Sequence, residues 1–320
     1  MNEPIPKKPT IGVSACLLGH QVRYDGGHKR DNFIVSNLQE HVDYLPICPE
    51  TGIGLGIPRP TSRLVGEPEN PRLVGVKDPS IELTDKMQVY ALEQTRQLHH
   101  LSGYVLKKSS PSCGMSRVKV YAEKGTHSVS KGVGIFAKVL IDELPLLPVE
   151  EEGRLNDPVL RENFINRIYV YHHWQLLHQK GLTAAELIAF HTDHKYLVMA
   201  HSQASYQRLG QLLSNFADNE LNNIAELYIE ELMQTLKRRV NRSRHVNVLQ
   251  HIMGYLKKRI SSEDKVELIA CIEAYRRQET PFIVPMTLFK HYFRLHPDNY
   301  MSRQVYLQPH PEKLGLRNGL

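Results

Sequence analysis

IGVSACLLG, residues 11–19, is the stretch that decides the fold. IGVSA (11–15) is a short apolar run with strand character, and it breaks into a turn at Cys16 with Gly19 close behind. The same pattern recurs twice. YLPI (44–47) runs into Cys48 and Pro49, and GYVLK (103–107) runs into SSPSCG, which carries Cys113. Between and after these runs, DNFIVSNLQEHV (31–42), TDKMQVYALEQTRQLHHL (84–101, with Thr84 as N-cap) and VGIFAKVLIDE (133–143) have helical spacing. LPLLPV (144–149) reads as a last strand, and GIGLGIPRPTSRLVGEP (52–68) as a loop. This alternation predicts an α/β domain with a mostly parallel, Rossmann-like sheet over residues 1–150. Ligands of such sheets bind beyond the carboxyl ends of the strands. The three cysteines are therefore expected to converge there.

The chain has 320 residues, enough for two domains, and its 41% hydrophobic and 23% charged content is that of an ordinary globular protein. No apolar run approaches the ~18 residues of a membrane span. The leading MNEPIPKKPT lacks the apolar core of a secretory signal and reads as a flexible lead-in, so a cytoplasmic protein is expected. The segment LPLLPVEEEGRLNDP (144–158), with its prolines and acidic run, reads as a linker. Beyond it, residues 151–320 are expected to be all helix. Asn156 or Asp157 caps the first helix with Pro158 in its first turn, and Thr183 with Glu186 forms a capping box for the second. Further helices are expected at about 203–240, 245–260, 263–278 and 285–295.

Four cysteines are too few to imply a disulfide framework. Spacing alone leaves Cys16, Cys48 and Cys113 open to two readings, buried thiols or metal ligands. The absence of a CxxC pair excludes a zinc ribbon. Three thiolates without a fourth fit a four-iron cluster with one iron left open to a soft ligand such as sulfur. Cys271, with Leu268 and Ile272 on a helical face, reads as core. Arg23 and Asp25 in VRYDG, and Arg59 and Arg63 after the second cysteine, lie in loops expected to rim the same crevice, either gripping a phosphate or pairing to fix a loop. Gly132 and Gly134 begin a G-x-G-x-x-A match that reads as a turn aiming a helix N-terminus at the site. His172, His173, His178, His191 and His194 have no ligand partners at metal spacing and read as packed or phosphate-facing histidines. From Met233 to Ser262 there is no acid. Lys237, Arg238, Arg239, Arg242, Arg244, Lys257, Lys258 and Arg259 in that window predict an RNA-facing surface, with helical spacing placing Arg238 near Arg242.

The motifs SACLLGHQVRYDGG (14–27), PICPE (46–50), PRP (58–60), KKSSPSCG (107–114) and GVGIFAKVL (132–140) resemble those of the thiouracil desulfidase (TudS-like) family. FHTDHKYLVMAHS (190–202) and QVYLQPHP (304–311) resemble the YbgA-like domain. The combination is similar to the RudS-type tRNA desulfidases and spans nearly the whole chain. The resemblance implies a [4Fe–4S] cluster on Cys16, Cys48 and Cys113, and non-redox removal of sulfur from 4-thiouridine through the open iron. It also implies Glu50 and Ser110 as catalytic groups, and a helical domain that binds thiolated tRNA. Neither a membrane nor DNA is an expected partner. Two alternatives carry over: a desulfidase of free thiouracil or thionucleotides, and a non-catalytic RNA-binding protein with a structural or sensing cluster.

Overall fold

A computed structural model describes residues 8–124, 127–214 and 220–319. The lead-in expected at the start therefore lies, for residues 1–7, outside the described residues. The chain divides into two compact units between Asn156 and Asp157.

The first unit is built on a four-stranded sheet in the order β2-β1-β5-β8, parallel throughout. Its strands are β1 (Thr10–Ser14), β2 (Asp43–Ile47), β5 (Gly103–Leu106) and β8 (Val149–Glu151). β1 and β5 are central and almost wholly buried, which is why both read as continuous apolar runs rather than alternating ones. Helices α2 (Thr84–Thr95) and α3 (Ile135–Glu143) pack on one another. The core gathers Ile11, Val13, Met87, Ala91, Tyr104, Leu106, Phe136 and Leu140. A one-turn helix, α1 (Pro49–Gly52), follows β2 directly.

Sequence reading missed a second sheet, β4-β3-β6-β7. Its strands are β3 (Ser62–Val65), β4 (Arg72–Gly75), β6 (Val118–Tyr121) and β7 (Ser128–Gly132). β3 lies inside the stretch expected to be loop. Other boundaries differ too. The helix expected at 31–42 is a six-residue π-helix, Phe33–Leu38. Thr84 does not cap α2; its hydroxyl accepts from Leu73 N at 2.9 Å and so ties the helix start to β4. The last strand is Val149–Glu151, not 144–149, so a boundary at 150/151 would cut through β8. The acidic run read as linker is largely this strand.

The second unit is helical: α4 (Pro158–Gln179), α5 (Ala184–His201), α6 (Gln203–Leu212), α7 (Leu221–Leu236), α8 (Arg242–Met253), α9 (Ser262–Arg276), α10 (Ile283–Leu295) and the short α11 (Asn299–Ser302). Asp157 caps α4, accepting from Val159 N at 2.8 Å and Leu160 N at 3.1 Å. The Thr183/Glu186 capping box opens α5 as its spacing predicts. The helix expected at 203–240 is two helices, and residues 215–219 between them lie outside the described residues. That expected at 245–260 starts at Arg242 and ends at Met253, because Asn241 accepts from Arg244 N and caps it. Rings of Trp174, Phe190, His194 and Tyr228 pack in the core of this unit.

Candidate metal centre

β2, β1 and β5 are neighbours in the sheet, and each runs at its carboxyl end into a segment carrying a cysteine. Cys16, Cys48 and Cys113 line one cavity of about 310 Å³ there. Cys16 sits in a single tight turn, Ala15–Leu18, closed by Gly19 at φ +98°. Its carbonyl accepts from Lys29 N at 2.9 Å, which folds the following loop back over the site. Cys48 is the first residue past β2, and its Sγ donates to Val22 O at 3.7 Å. Cys113 lies in a loop shaped by Ser110, whose Oγ accepts from Ser112 N at 3.2 Å and Cys113 N at 3.1 Å.

The thiols feel one another. Burial first, then the neighbouring Cys48, pushes Cys16 up to about 11. Burial, then the Glu50 carboxylate, raises Cys113 well above the ordinary thiol range, against a hydrogen bond with Ser14 that pulls the other way. A cationic centre among them is what converts such thiols to thiolates. Among the described residues no group of three or more His, Cys, Asp or Glu is close enough to hold one metal ion. As a donor set, three thiols lining one cavity are soft and suit metals such as the iron of an iron–sulfur cluster. Arg23, Lys29, Lys107 and Lys108 also line the cavity and supply the positive field an anionic cluster needs. Cys271 is half-buried on α9, in the other unit.

Glu50 enters the cavity from the first turn of α1. Its Oε2 receives Arg59 Nε at 2.9 Å and Nη2 at 2.6 Å, and its Oε1 receives Ser112 Oγ at 3.1 Å. The Arg59 side chain is 5% exposed, and Nη2 also donates to Val22 O at 2.9 Å, the carbonyl that Cys48 touches. Arg59 therefore joins Glu50 to the backbone beside a candidate ligand instead of reaching for a phosphate. Arg23 lines the cavity beside Tyr24.

Other expected residues lie elsewhere. Asp25 is exposed and binds Gly27 N at 3.0 Å; that bond lowers its carboxyl below the usual range, and its 3.6 Å approach to Arg23 braces the loop. Arg63 belongs to β3 and lies over the Tyr121 ring at 5.1 Å, in the second sheet. Gly132 ends β7 against Val120. Gly134 is at the centre for another reason. A Cβ there would stand 2.5 Å from Ser112 O and 2.8 Å from Cys113 N, so α3 begins hard against the cysteine loop. The amides at its start are spent on that loop, Ile135 N on Pro111 O and Ala137 N on Ser112 O at 3.1 Å each, and are not offered to a ligand.

The sequence reading preferred Ser110 and passed over Ser112, which is fully buried and is the serine that touches Glu50. It also missed the carboxylates at the end of β8 and just beyond it. Glu152 accepts from Lys107 Nζ and from Lys108 N at 2.8 Å, and Glu151 accepts from Met115 N at 2.8 Å. Both ends of the Cys113 loop are fastened by this acidic segment.

Comparison with known proteins assigns the two halves. Residues 11–152 match the model of the 2-thiouracil desulfurase family, and residues 195–311 match a family described as "Protein of unknown function (DUF1722)". A solved structure titled as the [4Fe-4S]-dependent thiouracil desulfidase TudS is 29% identical and covers 47% of this chain and 95% of its own, with a TM-score of 0.38. The uncharacterized protein YbgA of Escherichia coli (strain K12) is 33% identical over 153 residues, 48% of this chain and 90% of that protein. The chain belongs to the YbgA family. It joins a desulfurase-like domain to a YbgA-like domain.

The basic window of the YbgA-like unit is less free than its composition implies. Arg242 stacks on Tyr275 at 4.7 Å and donates to Tyr275 O at 3.1 Å. Arg244 donates to His201 O at 2.6 Å, and Arg259 to Pro297 O and Asp298, each at 2.8 Å. Arg238 and Arg242 are not helical neighbours, because α7 ends at Leu236 and α8 begins at Arg242. Lys237, Arg238, Arg239, Lys257 and Lys258 are exposed. The histidines pack: His173 and His194 lie at 5.0 and 4.0 Å from Phe190, His178 at 4.8 Å from Trp174 and His191 at 5.8 Å from Tyr228. Among the described residues no helix is long and apolar enough to cross a membrane.

Proposed function

We propose that the desulfurase-like unit binds a [4Fe–4S] cluster through Cys16, Cys48 and Cys113 and hydrolyses the C=S group of 4-thiouridine in tRNA to C=O. The observation that carries this reading is the shared cavity of three thiols with Glu50 at its wall, in a unit that matches the 2-thiouracil desulfurase family. When bound, the cluster supplies an open iron as a soft Lewis acid for the thiocarbonyl sulfur. Overall, water provides the oxygen and sulfur leaves as hydrogen sulfide, with no change in electron count.

The chain's own residues do the proton work. Glu50 Oε2 is filled by two guanidinium N–H groups, while Oε1 takes one hydroxyl and keeps a lone pair. Oε1 is thus the atom that accepts the proton of an attacking water. Ser110 Oγ accepts two backbone N–H groups, so its own hydrogen is left to donate. That hydrogen orients the water or the base. The exposed cations of the YbgA-like unit, Arg238, Arg239, Lys257 and Lys258 among them, would hold the RNA by its phosphates.

The test is turnover after anaerobic reconstitution, following thiocarbonyl absorbance and sulfide release. Thiolated tRNA is expected to react. Turnover of free 4-thiouracil alone would favour the free-base reading instead. Tight tRNA binding without sulfide from either substrate would leave an RNA-binding protein with a non-catalytic cluster.

A further inference from the structure

Between the Cys113 loop and α3 the chain makes the antiparallel pair β6–β7. Its roots are fixed at the metal centre: Met115 N is held by Glu151, and Gly134 N donates to Gly114 O at 2.8 Å. Arg117, Lys119, Lys124 and Lys131 are exposed on this hairpin, and among the described residues none has an ion-pair partner. The hairpin's acid, Glu123, is taken by Arg72 of β4 at 2.8 Å. Along β6 the burial alternates, placing Lys119 on the outward face opposite Ser130. The register slips between Val118 and Lys119, which leaves Lys131 as the extra residue of a bulge on the sheet's edge. Arg117 sits at φ +54°, a left-handed position that strains a side-chain-bearing residue and suits glycine. A left-handed backbone thus holds an exposed guanidinium that has no ion pair among the described residues.

We infer that this face is a phosphate-backbone grip for RNA, carried by the desulfurase-like unit itself. The inference rests on the reading above that the thiolated base arrives as part of an RNA. Separate exposed cations gain little from one small anion in salt water. A polyanion spanning them releases counterions at each contact, so its binding grows with every cation engaged. Because the hairpin is rooted in the Cys113 loop, RNA gripped there is held at a fixed position relative to the cavity.

The experiment uses the full reconstituted chain, the double variant Lys119→Gln/Lys131→Gln, and Arg117→Gly. Anisotropy with tRNA across a salt series and turnover of thiolated tRNA and free 4-thiouracil are measured. The expected results are at least a roughly tenfold loss of tRNA affinity, a salt slope shallower by about 0.7–0.9 per lost phosphate contact, and unchanged free-base turnover. Arg117→Gly should melt no lower than the parent while binding tRNA more weakly. Unchanged affinity and slope would overturn the inference. So would retained affinity with new self-association, which would make these lysines guards of an open sheet edge. If the parent turns over neither substrate, the desulfidase reading fails, but the binding series still decides whether the hairpin grips RNA.

Discussion

Arg59 fixes the orientation of the cavity's carboxylate by filling one oxygen of Glu50 with two N–H donors. With side chains 5% and 17% exposed, the Arg59–Glu50 pair is largely withdrawn from water, and breaking such a pair costs on the order of 3–5 kcal/mol. Arg59→Leu is expected to lower kcat at least a hundredfold while leaving the visible absorbance of the reconstituted cluster in place, with partial recovery in Arg59→Lys. Activity and absorbance measured on the same samples check it. At the ligands the pattern is reversed: Cys48→Ala should abolish that absorbance, and Cys271→Ala should leave it unchanged. The convergence of three cysteines on one cavity was legible because each interrupts an apolar run at a turn. Ser112 was not, because three serines flank Cys113 and only the fold reveals which one faces Glu50.

Elements were legible in proportion to their length and uniformity. β1 and β5 are buried apolar runs and β2 is a more exposed one; all three end in punctuating turns and stand within a residue or so of the positions read from sequence. β3, β4 and β6 span four residues each, too few for alternation to stand out, and they sit among glycines and prolines that signal loop. The acids in and just after β8 were misread because charge suggested solvent, whereas Glu150, Glu151 and Glu152 are all at most 9% exposed. Their partners, backbone amides and cations of the Cys113 loop and its surroundings, are a property of the assembled sheet. The junction of α3 with that loop yields a prediction at this scale. Gly134→Ala drives a methyl into backbone at 2.5 Å, so the loop must shift. A destabilisation of about 1–3 kcal/mol is expected from such overpacking, along with loss of cluster retention; denaturant melts and iron content measure both.

At the scale of the whole molecule, the YbgA-like unit stores an acid sensitivity. His194, His201 and His245 are buried, and their Nδ1 atoms face Phe190 O, Arg238 O and Tyr306 Oη. Burial above all lowers them to about 3, 4 and 3 respectively. In the unfolded chain they take up protons near pH 6.5, so the unfolded state binds more protons between there and about pH 4. Stability therefore falls as pH drops through that window. Circular-dichroism melts from pH 8 to 4.5 should show a falling Tm, and a flat profile would contradict it. The division into two units was legible from the change in pattern near residue 150, though the cut lies at Asn156, since β8 completes the first sheet.

The strand order β2-β1-β5-β8 also sets a timetable. A ribosome delivers Cys16 and Cys48 early, yet β1 keeps one side unpaired until Gly103–Leu106 emerges, and Cys113 follows that strand. The carboxylates that fasten the final loop come later still, at Glu151 and Glu152. If the three thiols hold the proposed cluster, a chain stopped before β8 would display them without the frame that brings them together.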